Sequence, residues 1–177
     1  MTKETVRISD YAGVINEELP KGILMNTMGD KFNSMVIGWG HLGILWGIPT
    51  FAAYVRQSRY TKELVDASGE FTISVPCGDL DPMVRRKIFM TCGMRSGRDI
   101  DKAEAASLTL ADPEVIKTPG ILEYPLTLEC RVLYAQDQEV PKIPEEITAK
   151  YYPEENGKVD YHTMYVAKIV AAYLIKE

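Results

Sequence analysis

Asn33-Ser34-Met35-Val36-Ile37-Gly38-Trp39-Gly40, followed by Arg56-Gln57-Ser58-Arg59-Tyr60-Thr61, is the pair of stretches on which the fold turns. The first has the apolar content of a strand that carries an aromatic near its end. The second reads as the end of another strand turning into a helix. That turn is rich in guanidinium and hydroxyl groups, the chemistry that holds a phosphate. A phosphate seat beside an aromatic wall suits a nucleotide.

Outward from this pair, strands dominate. Ser34 to Gly40 and Phe51 to Arg56 read as two strands, with Gly43, Gly47 and Pro49 punctuating the connection between them. Thr61 is placed to cap a short helix through Ala67, which Ser68-Gly69 would stop. Phe71 to Val75 follows as a strand ended by Pro76. Asp81 before Pro82 is a helix-start signature, and that helix is expected to run to about Thr91. Met94 to Lys102 is polar and glycine-containing, a loop leading into a short helix near Ala103 to Ser107.

Leu126 to Tyr134 and Met164 to Leu174 both alternate with period two, so they are expected to pair as a long hairpin. Between them lies a charged, proline-rich insertion, Gln138 to His162, with an Asn156-Gly157 turn signal. Six or more strands with scattered short helices favour a mainly β fold, a closed or partly closed barrel, over a βαβ sandwich. Gly38, Gly40 and Gly43 do not give the GxGxxG spacing of a dinucleotide fingerprint, and no helix follows them.

At 177 residues the chain fits one domain, 1–177, and 46% apolar with 25% charged residues is ordinary globular composition. A formal charge of −5, with no dominant basic run, argues against nucleic-acid binding. The longest apolar runs are interrupted by Gly, Pro, Arg or Lys, so no membrane span is expected. The N-terminus lacks the apolar core of a secretory signal, which makes the cytoplasm the expected location. Cys77, Cys92 and Cys130 are widely spaced, giving neither a disulfide framework nor a metal site.

The strand Asn33–Gly40, the RxSRYT turn, the FTISVP strand at Phe71–Pro76 and the CGxxSGxxxDK loop at Cys92–Lys102 stand in an order and at separations that resemble the flavin reductase-like FMN-binding split-barrel proteins, close to flavoredoxins. The likeness spans about residues 14 to 135 by motif and the final strand by pattern. It implies an FMN-binding split β-barrel, homodimeric, with flavin near the subunit interface.

The residues themselves agree with that implication. A flavin phosphate carries close to two negative charges, and Arg56, Ser58, Arg59, Tyr60 and Thr61 offer cations, hydroxyls and helix-start donors. Thr61 is the best single candidate, although by itself it reads equally as a helix cap. Asn33 can offer its amide to the ring edge, and the backbone of Ser34, Met35, Val36, Ile37 and Gly38 can do the same where a bend leaves it unpaired. Trp39 would flank the ring; alone, a strand tryptophan reads as core.

By resemblance the Ser96-Gly97 loop approaches the flavin from the side, Gly97 allows close backbone approach, and Lys102 pairs with phosphate or polarises the ring. A solvent-exposed turn with a cap at Asp99 or Asp101 is the alternative. Cys92 reads as a packing residue. His162 could face the ring, but a surface position fits it better. No catalytic group is assigned, because hydride transfer to flavin needs a donor held close to the ring face, not a protein nucleophile.

The expected activity is therefore transfer of a hydride from NAD(P)H to FMN and of electrons onward. The alternatives are a flavoredoxin-type carrier with a ferredoxin-like redox partner, and a non-catalytic FMN-binding or sensory module. The insertion at 138–162 has no counterpart in the likeness, and Tyr151, Tyr152 and Tyr161 within it are expected to line the substrate side of the pocket.

Overall fold

The computed structural model describes residues 1–177. A short strand β1 (Thr2–Thr5) and helix α1 (Ala12–Glu18) precede four strands in close succession, β2 (Ile23–Met28), β3 (Phe32–Ile37), β4 (Gly40–Leu45) and β5 (Ile48–Arg56). Helix α2 (Tyr60–Ser68) crosses to β6 (Glu70–Val75). Helices α3 (Pro82–Met94) and α4 (Lys102–Ala106) then lead through β7 (Leu110–Ala111) and β8 (Gly120–Ile121) to the long strand β9 (Leu126–Asp137). The following segment holds helix α5 (Glu145–Tyr151) and a small hairpin, β10 (Glu154–Glu155) with β11 (Lys158–Val159), before the final strand β12 (His162–Lys176).

The main sheet runs β3-β2-β6-β9-β12-β5-β4, with β1 added to β12. Its pairings are antiparallel, and β9 and β12 form the expected hairpin, from Thr163 opposite Asp137 to Leu174 opposite Leu126. Register shifts leave one extra residue in β9, Leu133, opposite Val166/Ala167 and one in β12, Val170, between Ile169 and Ala171, and such bulges bend the pair. The sheet thereby curls until its far members share one core. Met35 and Ile37 of β3 lie in the same buried cluster as Phe51, Ala53 and Val55 of β5. No ladder joins β3 to β5, however, so the barrel is split along that line.

The chain departs from the sequence expectation at β4. The first strand stops at Ile37 rather than Gly40, and Gly40 to Leu45 forms a further strand paired with β5 across a Trp46-Gly47 turn. Both turn residues have positive φ, 53° and 71°, the pattern of a two-residue hairpin whose twist matches its strands. Gly40 fits because a Cβ there would stand 2.7 Å from the Ala52 carbonyl oxygen. Trp39 is consequently not a strand residue. It lies in the link between β3 and β4, 37% exposed.

The helix expectations hold with shifted ends. Asp81 accepts from the Met83 amide at 2.7 Å and caps α3, which extends to Met94. Asp101 accepts from the Glu104 amide at 3.0 Å and caps α4. Thr61 does not cap α2: the N-cap is Arg59, without a side-chain bond, and Thr61 is buried inside the first turn. No helix is long and apolar enough to cross a membrane.

Candidate functional site

The split between β3 and β5 is the feature that makes a site. β3 pairs only with β2, so its other edge has no strand partner. Backbone donors and acceptors on such an edge are open to anything that can bond them. A cleft of ≈ 150 Å³ follows this edge, lined by Met35, Val36, Ile37, Gly38 and Trp39 on one side and by Tyr54, Arg56, Arg59 and His162 on the other.

The register explains why these side chains converge. His162 opens β12 directly opposite Arg56, and Met164 stands opposite Tyr54. With period two, all four project from one face of the sheet. The Trp39 ring meets His162 at 4.6 Å between centroids and Tyr151 edge-on at 5.2 Å, and Tyr152 lies at 6.3 Å. Tyr151 and Tyr152 thus join the aromatic wall. Tyr161 does not; its carbonyl accepts from the Gln57 amide at 3.0 Å.

His162 is buried, against the expectation of a surface position. Desolvation, with Arg56 second, pushes its pKa down to about 4, so the ring is neutral near pH 7. Its Nδ1 lies 3.0 Å from the Tyr152 hydroxyl, which donates to Gln138 Oε1 at 2.6 Å. That chain makes Nδ1 the protonated nitrogen, donating to the tyrosine oxygen. Nε2, which makes no hydrogen bond to the protein, keeps its lone pair.

The Arg56–Arg59 turn is occupied by the chain's own insertion. Arg56 donates to the Asp160 carbonyl at 2.6 Å and the Tyr151 carbonyl at 3.0 Å, and lies 5.6 Å from the centre of the Tyr152 ring. Ser58 donates its amide to one oxygen of the Asp160 carboxylate at 3.0 Å and its hydroxyl to the other at 2.7 Å. Arg59 is exposed, with one long contact to the Gly93 carbonyl at 3.4 Å.

The remaining candidates gather elsewhere, around the start of α2. The Asn33 amide donates to the Thr27 and Thr61 hydroxyls at 3.1 and 2.9 Å inside the barrel end, so it is not presented to the cleft. Its Oδ1 is buried without a partner. A Cβ on Gly97 would stand 2.1 Å from that same atom, so the close approach that Gly97 allows here is to Asn33. Ser96 accepts from the Arg98 amide at 3.2 Å, and the Arg98 guanidinium lies 5.1 Å from the centre of the Tyr60 ring.

Ser34 lies within β3, and Lys102 packs against it. Buried to 3% exposure, the Lys102 ammonium donates to the carbonyls of Ser34 at 2.6 Å and Cys92 at 2.9 Å. Burial lowers its pKa to about 8. It therefore braces the strand rather than reaching outward for a phosphate. Cys92 packs beside it, its thiol pushed up by burial.

Sequence reasoning thus found one wall of the cleft and missed Tyr54, Asp160 and the burial of His162. Tyr54 was readable from its two-residue spacing to Arg56. The position of Asp160 depends on how a 25-residue segment folds back, for which no local signal exists.

An aromatic wall, a free polar strand edge and two guanidiniums in one cleft fit a flat heterocycle bearing a phosphate. Comparison with known proteins gives the family and the fold. Residues 17–177 match the family model described as Flavin reductase like domain. An uncharacterized protein of Archaeoglobus fulgidus is 38% identical over 79 residues, which span 45% of this chain and 42% of that one. The match thus covers less than half the length of that curated relative. Among solved structures, the FMN-binding domain of a flavin reductases-like enzyme from Shewanella baltica superposes with a TM-score of 0.67 at 17% identity, over 98% of this chain and 77% of the other. A flavoredoxin from Methanosarcina acetivorans superposes with a TM-score of 0.62 at 26% identity, over 88% and 68%.

Proposed function

The chain belongs to the flavin reductase-like domain family, and we propose that it binds FMN in the seam between β3 and β5 and acts as an oxidoreductase, taking a hydride from a nicotinamide donor and passing electrons onward. The observation that carries this is the composition of the cleft along β3: the unpaired edge of the strand, the rings of Trp39 and His162, and the guanidiniums of Arg56 and Arg59. A flavin mononucleotide needs partners for its polar ring edge, a flat wall for its faces and cationic donors for its phosphate.

The bound flavin supplies the redox chemistry, and the chain supplies position and dryness. The open backbone of Val36 to Gly38 is available to the ring edge. Trp39, backed by Tyr151 and Tyr152, excludes water from one side. Neutral His162 offers a lone pair from Nε2 to a donor in the cleft. Nothing in this scheme needs a protein nucleophile, because a hydride donor held a few ångströms from the ring suffices.

The test is an absorbance spectrum of the purified protein with added FMN, followed by anaerobic NADH and then NADPH. Bleaching of bound flavin within seconds is the expected result, and the faster donor identifies the physiological nicotinamide. The 26% identity to a flavoredoxin favours one second reading, an electron carrier working with a ferredoxin-like protein. In that case neither nicotinamide bleaches the flavin while a reduced ferredoxin does. Failure of FMN to bind at all would sink both. In either role we propose a homodimer.

A further inference from the structure

Asp160 occupies the donors that a phosphate would use. Its two carboxylate oxygens take the Ser58 amide and the Ser58 hydroxyl separately, a two-point clasp of the kind a phosphate makes with a serine-containing turn. Its own carbonyl and that of Tyr151 take both ends of the Arg56 guanidinium. One segment of chain, Tyr151 to Asp160, therefore satisfies the serine and the arginine of the turn together. The clasp is reachable from solvent: a cleft of ≈ 830 Å³ opens beside it, lined by Arg56, Ser58, Lys150, Lys158 and Asp160 among others. Ser58 is exposed and Asp160 half-buried.

Nothing else in the fold requires this carboxylate. The strand register of β12 with β5 begins only at His162, and the hairpin of β10 with β11 closes through its own pairing. Asp160 joins these elements solely through the Arg56–Ser58 turn.

We propose that Asp160 is an internal stand-in for phosphate, a carboxylate that fills the phosphate seat of the site and sets its selectivity between phosphorylated and unphosphorylated flavin. This rests on the reading of the Arg56–Arg59 turn as that seat. A phosphate dianion entering the seat displaces the monoanionic carboxylate, and residues 153–160 move off the turn with it while Tyr151 and Tyr152 stay against Trp39. The strap lowers the affinity for FMN by the strength of its own clasp and leaves a flavin without phosphate unaffected. FMN then exchanges more readily than an unobstructed seat would permit.

The experiment measures dissociation constants of FMN and riboflavin, by flavin fluorescence, for the unmodified chain, Asp160→Asn, and Arg56→Ala. Loss of one charge-assisted clasp predicts that Asp160→Asn binds FMN about tenfold or more tightly, with riboflavin unchanged. Arg56→Ala is expected to weaken FMN and spare riboflavin. A selective loss in Arg56→Ala with no gain in Asp160→Asn overturns the proposal and leaves the seat in place. Equal losses of both flavins in Arg56→Ala remove the seat itself, and the proposal falls with it.

A second measurement needs no substitution. Amide hydrogen exchange of residues 154–160 in the unmodified chain should accelerate on adding FMN and stay constant on adding riboflavin. Acceleration by both, or by neither, counts against a strap displaced by phosphate.

Discussion

His162 shows how much a single buried ring controls. Buried against Trp39 and Tyr152, it has its pKa held down to about 4 against an ordinary 6.5, with desolvation the main cause and Arg56 and Arg59 adding to it while Asp160 opposes. The unfolded chain therefore takes up this proton near pH 6.5 and the folded one only near pH 4. Stability contributed by the neutral ring is complete above pH 6.5 and is lost as the pH falls towards 4, up to about 3 kcal/mol. Urea midpoints measured from pH 4 to pH 8 should show that loss in the unmodified chain and a flatter profile in His162→Gln. Equal slopes in the two would mean that the ring titrates normally. The sequence offered the residue but not its state, because the depression comes from burial against Trp39 and Tyr152 with Arg56 alongside, groups brought together only in three dimensions.

At the scale of elements, legibility followed locality. Asp81-Pro82 and Asp101 announce α3 and α4 through short-range capping, and the alternation in β9 and β12 is dictated by one buried face, so both kinds of signal survive folding intact. Strand β4 was hidden because its residues, Gly40-His41-Leu42-Gly43-Ile44-Leu45, carry two glycines and no clean alternation. What holds it is pairing to β5, a tertiary choice. The same pairing makes Gly40 irreplaceable. A methyl there meets the Ala52 carbonyl oxygen at 2.7 Å and the Phe51 ring at 3.2 Å, and Phe51 is fully buried. Gly40→Ala is expected to cost about 1–3 kcal/mol by overpacking and to shift Trp39, which adjoins it in the chain. A urea midpoint and tryptophan emission together check this, and an unaltered midpoint would mean that β4 yields without strain.

At the scale of the whole molecule, the open sheet ends in two strands, and they are treated differently. The free edge of β3 is braced from behind by Lys102 and faces the cleft. The β4 end carries Ile44 at 70%, Leu45 at 40% and Trp46 at 63% exposure, an apolar tip that a monomer gains nothing by displaying. Trp46 also holds a φ of 53°, a conformation that costs a bulky residue roughly 1–3 kcal/mol and that Asn adopts more readily. Strain and exposure at one residue are both repaid if the tip is buried against a second copy of the chain, which is the homodimer proposed above. The two effects can be separated by one substitution. Trp46→Asn should raise the stability of the isolated chain by about 1 kcal/mol through relief of the turn, while weakening self-association. Sedimentation over a concentration series reads the second effect and urea unfolding at high dilution reads the first. A variant that associates as tightly as the unmodified chain would place the dimer contact elsewhere on the surface. One that is less stable at high dilution would show that the Trp46 ring packs within its own chain more than its exposure implies.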